Sequence, residues 1–262
     1  MIVKDITDII EEFAPLSLQE DYDNAGLICG AYDDEVVSVL LCTDITEDVV
    51  DEAIENNHNM IISHHPLAIK PIKNLLPDTY INRCLIKAIK NNLNIYAAHT
   101  NIDSVLRGVS GKMADKLELV NQKILQPNTK SPNPEIGFGV IGELEEETDT
   151  YEVLQKIKSV FHCKTIRYTN INKPRVRKIA LCGGSGAFLT QEAIRAGADI
   201  YISGDFKYHD FFNAENQIII ADIGHYESEQ YTKEIFYELV TKKMSKFAVQ
   251  FSKVNTNPIN YI

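Results

Sequence analysis

The residues able to do chemistry sit where apolar runs end. The stretch "NMIISHHPL" (59–67) closes on two adjacent histidines, His64 and His65, after the apolar run 60–62. "NIYAAHTNID" (94–103) closes on His99, with Asp103 four residues on. "QIIIADIGHYESE" (217–229) closes on Asp222, His225 and Glu229. Four of the seven histidines therefore occupy strand-exit positions, each near a carboxylate or another histidine. Imidazole with carboxylate and no cysteine is a borderline-hard donor set, which suits Zn, Mn, Fe(II), Co or Ni. The donors exceed the three that an open catalytic zinc takes from protein. They match two divalent metal ions per chain, bridged by carboxylates. Adjacent residues at a strand end point to different sides, so His64 and His65 each reach a different ion. Asp103 and Glu229 would bridge or cap, and His225 would complete the set. A final helix that begins early would put His225 and Glu229 at i and i+4, on one face. His99 reads as an orienting group or a proton carrier. His58 and His162 read as hydrogen-bonded structural residues.

Weaker signals lie nearby. "CGGSGAF" (182–188) follows a strand, and its amides could hold a phosphate. It lacks the Lys-Ser/Thr ending of a P-loop, so a tight strand-to-helix turn is the expected reading. In "SGDFKYHD" (203–210), Asp205, Lys207 and His209 are polar enough to line a pocket. "DYDNAGL" (21–27) reads as a glycine turn entering a strand, with Asp23 and Asn24 near the site. Asp44 ends its strand as the histidines do and is a candidate pocket wall. There is no G-x-S-x-G elbow and no cysteine nucleophile motif.

The elements that must carry these residues alternate between helical and strand patterns. Ile6, Ile9, Ile10 and Phe13 have helical spacing. "VVSVLLCTD" (36–44) is a continuous apolar run, the pattern of a strand buried on both faces. "TEDVVDEAIENN" follows as a helix capped by Thr46, with Glu47 and Asp48 placed well for its dipole. "PDTYINRCLIKAIKNNL" is the next helix, with Asp78 as candidate cap and Ile81, Leu85, Ile89 and Leu93 on one face. This β-α-β-α-β rhythm predicts a mostly parallel sheet with right-handed crossovers. Ligands then gather beyond the carboxyl ends of the strands, where the histidines are. The loop-like "LQPNTKSPNPE" (125–135) marks a boundary. Strand and helix patterns resume beyond it, and Ile235, Phe236, Leu239 and Val240 mark a closing helix. The predicted division is 1–125 plus 217–262 as a metal-binding α/β domain and 126–216 as a second α/β domain.

Bulk properties narrow the function. The formal net charge is −11, and Lys and Arg are scattered, which speaks against a nucleic-acid backbone as partner. A small anionic substrate remains compatible where a metal supplies local positive charge. The five cysteines, Cys29, Cys42, Cys84, Cys163 and Cys182, are odd in number and show no C-x-x-C spacing. That argues against a disulfide framework and a thiolate zinc site. The N-terminus "MIVKDITDIIEEF" carries acids through its apolar face, unlike a signal peptide. No apolar run approaches the roughly 20 residues of a membrane span, so no membrane association and a cytoplasmic location are expected.

The segments "DYDNAGL", "LCTDIT", "IISHHPL", "AAHTNID", "GGSG", "SGDFKYHD" and "DIGHYESE" occur in that order. Together they resemble the NGG-interacting-factor-three family, also called GTP cyclohydrolase I type 2 homologues, over nearly the whole chain. The resemblance implies two interlaced α/β domains, a dinuclear metal centre and a toroidal homohexamer built as a trimer of dimers. It implies His64, His65, Asp103, His225 and Glu229 as the metal ligands. Some members carry an inserted domain like a small signalling protein, for which 262 residues leave no room. The family name implies opening of a purine five-membered ring. That reaction needs hydroxide at C8 and a proton for the departing nitrogen, with His99 or His209 as donor. A metal-dependent hydrolase of nucleotide-like or phosphorylated small molecules is the expected function. The alternative is a non-enzymatic metal-binding assembly in metal handling or partner binding.

Overall fold

The first apolar stripe becomes helix α1 (Val3–Phe13), which buries Val3, Ile6, Ile9 and Ile10. The computed structural model describes all residues from 1 to 262. Strand β1 (Gly26–Cys29) follows, then β2 (Ser38–Cys42), and α2 (Glu47–Glu55). As predicted, the Thr46 hydroxyl accepts the Val49 N–H and caps α2. Next come β3 (Met60–Ser63), α3 (Tyr80–Lys90), β4 (Asn94–Ala97) and the one-turn α4 (Thr100–Asp103). Two expectations for α3 need correction. Thr79 is its cap, accepting the Asn82 N–H, while Asp78 accepts from the Asn82 side chain. Ile89 points outward, and the buried face is Asn82, Cys84, Leu85 and Ala88.

The chain continues through α5 (Val109–Lys116), β5 (Val120–Pro127), β6 (Gly137–Asp149), α6 (Thr150–Val160) and β7 (Arg167–Tyr168). It then forms β8 (Arg175–Ser185), α7 (Thr190–Arg195), β9 (Ile200–Gly204), β10 (Ile219–Asp222) and α8 (His225–Glu229). It closes with α9 (Thr232–Lys243) and β11 (Ala248–Phe251). No helix is long and apolar enough to cross a membrane.

Chain contacts define two units, 1–102 with 232–260, and 103–231 with 261–262. The predicted divisions at 125/126 and 216/217 therefore move. The proline-rich stretch is the loop of an antiparallel hairpin, in which Gln126 pairs with Phe138 and Pro127 with Gly137. It cannot separate two domains, because both its strands lie in one sheet. Likewise β10 lies between β9 and β7 in the second unit's sheet, and the chain returns to the first unit only at Thr232.

The first unit's sheet runs β1-β4-β3-β2-β11, with β1 antiparallel and the other strands parallel. Leu40, Ile61 and Ile95 pack on one face against Val50 of α2 and Ala88 of α3. The register sets Cys42 beside Ser63 and Ser63 beside Ala97. Three strands thus end level, and Asp44, His64, His65 and His99 leave from one edge. The second unit's sheet, β5-β6-β8-β9-β10-β7, is mixed, with β8, β9 and β10 parallel at its centre. Alternate residues of β8 and β9 face two cores: Leu181 and Ile202 on one side, Ala180 and Tyr201 on the other.

Candidate metal centre

In the first unit, the ladder continues past the strands: the His64 N–H donates to Cys42 and the His65 N–H to Thr43. This fixes the backbone of both histidines before their side chains are considered. His64 is fully buried, and its Nδ1–H donates to the Ala98 carbonyl at 3.0 Å. His65 Nδ1–H donates to Asp44 Oδ1 at 2.7 Å, and Asp44 Oδ2 accepts the Thr256 hydroxyl at 2.7 Å. His99 Nδ1–H donates to Asp23 Oδ1 at 2.7 Å. Asp23 Oδ2 also accepts the Thr100 N–H at 3.0 Å and the Thr100 hydroxyl. Burial would raise the Asp23 pKa, but these bonds from His99 and Thr100 hold it well below the usual carboxylate range.

Each of the three imidazoles thus has its proton placed on Nδ1 by an acceptor, which makes Nε2 the lone-pair nitrogen. Metal-bound histidines are commonly oriented by such an outer hydrogen bond to a carboxylate or backbone carbonyl. One ring nitrogen from each of His64, His65 and His99 lies within 4.8 Å of the others. The ring centroids are 4.7 Å apart for His64 and His65, and 5.3 Å for His99 with either. His99, read from sequence as a proton carrier or orienter, stands inside this imidazole group.

In the second unit, α8 begins at His225, so His225 and Glu229 do lie one turn apart. His225 Nε2 and Glu229 Oε2 are 3.0 Å apart, and Nδ1 meets Asp205 Oδ2 at 2.7 Å. Burial would lower the His225 pKa, but bonds to Asp205 and Glu229 raise it to about 11. Asp205 also accepts the Ser185 hydroxyl at 2.6 Å, and its own pKa is lowered, chiefly by the His225 bond. One oxygen each of Asp103 and Glu229 lie within 4.8 Å of each other. Asp222 does something else: it accepts the N–H groups of Phe206 and Gly224 and pairs with Arg167.

The glycine-rich turn has a packing role. The Gly183 and Gly184 N–H groups donate to the hydroxyls of Ser110 and Ser228 at 3.2 and 2.8 Å, so they do not form an open phosphate cradle. Gly184 has φ +62°, and a Cβ there would lie 2.3 Å from Glu229 Oε1. Glycine is what lets the strand approach Glu229 this closely. His209 lies in the exposed 3-10 turn 208–214, its ring against Tyr208 and Phe212, and it belongs to none of the close His/carboxylate groups. Thr256, Ser185 and Thr100 were not distinguishable by sequence. Each is a lone hydroxyl whose role depends on a partner carboxylate, and for Thr256 that partner is 212 positions away.

The class follows from these observations: a two-sheet α/β protein whose strand ends carry histidine and carboxylate groups that could bind metal ions. The family model described as Duf34/NIF3 (NGG1p interacting factor 3) matches residues 1–258, and the chain belongs to that family. A GTP cyclohydrolase 1 type 2 homolog of Clostridium acetobutylicum is 39% identical over 229 residues, covering 87% of this chain and 85% of that protein. A protein of the same name from Streptococcus pneumoniae is 32% identical over a 271-residue alignment that covers 100% of both. The crystal structure of Staphylococcus aureus protein SA1388 has a TM-score of 0.91 at 28% identity, covering 100% of this chain and 99% of that one.

Proposed function

We propose that the protein is a dinuclear-metal-dependent hydrolase of nucleotide-like or phosphorylated small molecules. In this reading His64, His65, Asp103, His225 and Glu229 hold two divalent cations. The observation that carries it is that His64 and His65 both have Nδ1 anchored, by the Ala98 carbonyl and by Asp44, which presents their Nε2 lone pairs for coordination. The donor chemistry fits Zn, Fe, Mn, Co or Ni. The names of the Clostridium and Streptococcus relatives support the choice of nucleotide-like substrates.

A bound divalent pair would supply Lewis acidity, polarising a carbonyl or phosphoryl oxygen and lowering the pKa of water. The chain's own residues do the rest. Asp44 fixes the tautomer and ring orientation of His65, and the Ala98 carbonyl does so for His64. Asp23 holds the Nδ1–H of His99 and so orients the ring, which leaves Nε2 as the atom to pass a proton to a leaving nitrogen or oxygen. The reading also carries a homohexameric assembly, which analytical ultracentrifugation would measure.

The test is elemental analysis followed by a nucleotide panel. Purified protein should carry about two metal equivalents per chain and hydrolyse at least one panel member. His65→Ala should abolish the turnover. Metal uptake with no turnover across the panel would favour the non-enzymatic assembly instead.

A further inference from the structure

Beyond β11 the chain has no regular structure: residues 252–260 form neither helix nor strand. They are nevertheless fastened to the edge of the first unit's sheet. The Ser252 N–H donates to the Leu41 carbonyl at 2.8 Å, which carries the β11–β2 ladder one residue past the strand. The Ser252 hydroxyl and the Lys253 N–H both donate to the Glu52 carboxylate of α2, the latter at 2.9 Å. Val254 packs on the core that also holds Val49 and Leu85. The segment thus follows the edge where β2 ends and brings Thr256 to Asp44, where its hydroxyl donates to Oδ2 at 2.7 Å. Thr256 is 9% exposed, so little water reaches this bond.

The bond matters because of what Asp44 does with its other oxygen, which accepts the His65 Nδ1–H. The last side-chain torsion of an aspartate is broad, so nothing within Asp44 itself keeps Oδ1 turned to the ring. Its side chain is also 32% exposed, to water that competes for it. A donor on the far oxygen fixes the plane of the carboxylate. The other two imidazoles meet the same requirement locally. His64 relies on the Ala98 carbonyl, a backbone group whose own N–H is bonded to Ser63. His99 relies on Asp23, whose far oxygen takes the N–H and the hydroxyl of Thr100, the residue next to His99. Asp44 draws its hydroxyl from 212 positions along the chain.

We propose that Thr256 is a positioning residue for the metal centre: by holding Oδ2 of Asp44 it keeps Oδ1 on His65, and so sets how tightly His65 Nε2 binds a divalent cation. The proposal rests on the reading of His65 as a metal ligand. It adds the segment after β11 to the parts of the first unit that determine metal affinity. Thr256 itself touches no ion and acts through Asp44.

Zinc affinity, measured by competition with a chromogenic chelator, tests this on the unaltered protein, Thr256→Val, Asp44→Ala and the double variant. Thr256→Val keeps the shape of the side chain and removes the donor. It should weaken zinc binding about three- to tenfold, and Thr256→Ala should do the same, so the outcome does not hang on one replacement. Thr256→Ser, which keeps the hydroxyl, should bind zinc nearly as the unaltered protein does. With Asp44→Ala already present, Thr256→Val should cause no further loss, because a residue that acts through Asp44 has nothing left to act on. A residue that only stabilised the fold would give the same loss with or without Asp44. Equal zinc affinity in Thr256→Val and the unaltered protein, or additive losses in the double variant, would overturn the proposal. Turnover is no part of the measurement. A protein that binds zinc and hydrolyses nothing would therefore sink the hydrolase reading and leave this one standing, while an unaltered protein that binds no zinc would overturn both.

Discussion

At the scale of single residues, what distinguishes the histidines here is the acceptor behind each ring. Asp44 touches no ion in the proposed centre, yet it decides which nitrogen of His65 is protonated. Asp44→Asn should lower metal affinity about 10–100-fold while leaving the fold intact. A chelator competition, with circular dichroism as the control, measures both. Gly184 makes a second case: any side chain there meets Glu229 Oε1, and the backbone is already left-handed. Gly184→Ala should cost about 1–3 kcal/mol, read by urea denaturation, and should reduce metal content through displacement of Glu229. The residues of the close His and carboxylate groups were legible in the sequence because each stands just beyond an apolar run. Their anchors were half legible. Asp23 and Asp44 stood out as polar residues beside apolar runs, but nothing in sequence tied either to a particular ring. That pairing comes from strand register: Cys42 beside Ser63 brings Asp44 to His65, and Gly26 beside Ala97 brings Asp23 to His99.

At the scale of elements, capping and burial were legible where one local rule acts alone, and lost where two compete. Thr46 capped α2 as read, and Thr46→Ala should cost about 1 kcal/mol in urea denaturation. Ahead of α3, two adjacent residues could cap, and Thr79 displaced Asp78. The hairpin of β5 and β6 was missed because prolines in its loop look the same as prolines in a domain linker. Strand β9 offers a pH test away from the candidate metal centre. Asp199, before it, accepts the N–H groups of Arg177 and Lys178 at 2.9 Å and pairs with Lys173. Burial would raise its pKa, but these partners lower it. Its folded pKa thus lies below its unfolded one. The stability it contributes is present above the unfolded carboxylate pKa, near 4, and is lost as pH falls through the folded value. Asp199→Asn should therefore be less stable than the unaltered protein at pH 6, and the gap should narrow below about pH 4. A gap that stays constant from pH 6 to 3 would show that the charge contributes nothing.

At the scale of the whole molecule, the proposed ligands fall in different stretches of the chain. His64, His65 and His99 belong to 1–102, while Asp103, His225 and Glu229 belong to 103–231. The sequence could not show this division, because the crossing at 102/103 falls inside α4 and that at 231/232 at the start of α9, with no compositional break at either. An ion that binds only the folded chain stabilises it by about 2.7 kcal/mol at a free concentration one hundred times its dissociation constant. Treatment with EDTA should accordingly lower the melting temperature by several degrees, and returning metal should restore it. The proposed ligand set makes a sharper demand. His65→Ala, in the first unit, and Glu229→Ala, in the second, should each abolish most of the metal-dependent shift in differential scanning calorimetry. A Glu229→Ala protein that keeps the full shift would confine the ion to the imidazole group, and the centre would then be a single-metal site of the first unit.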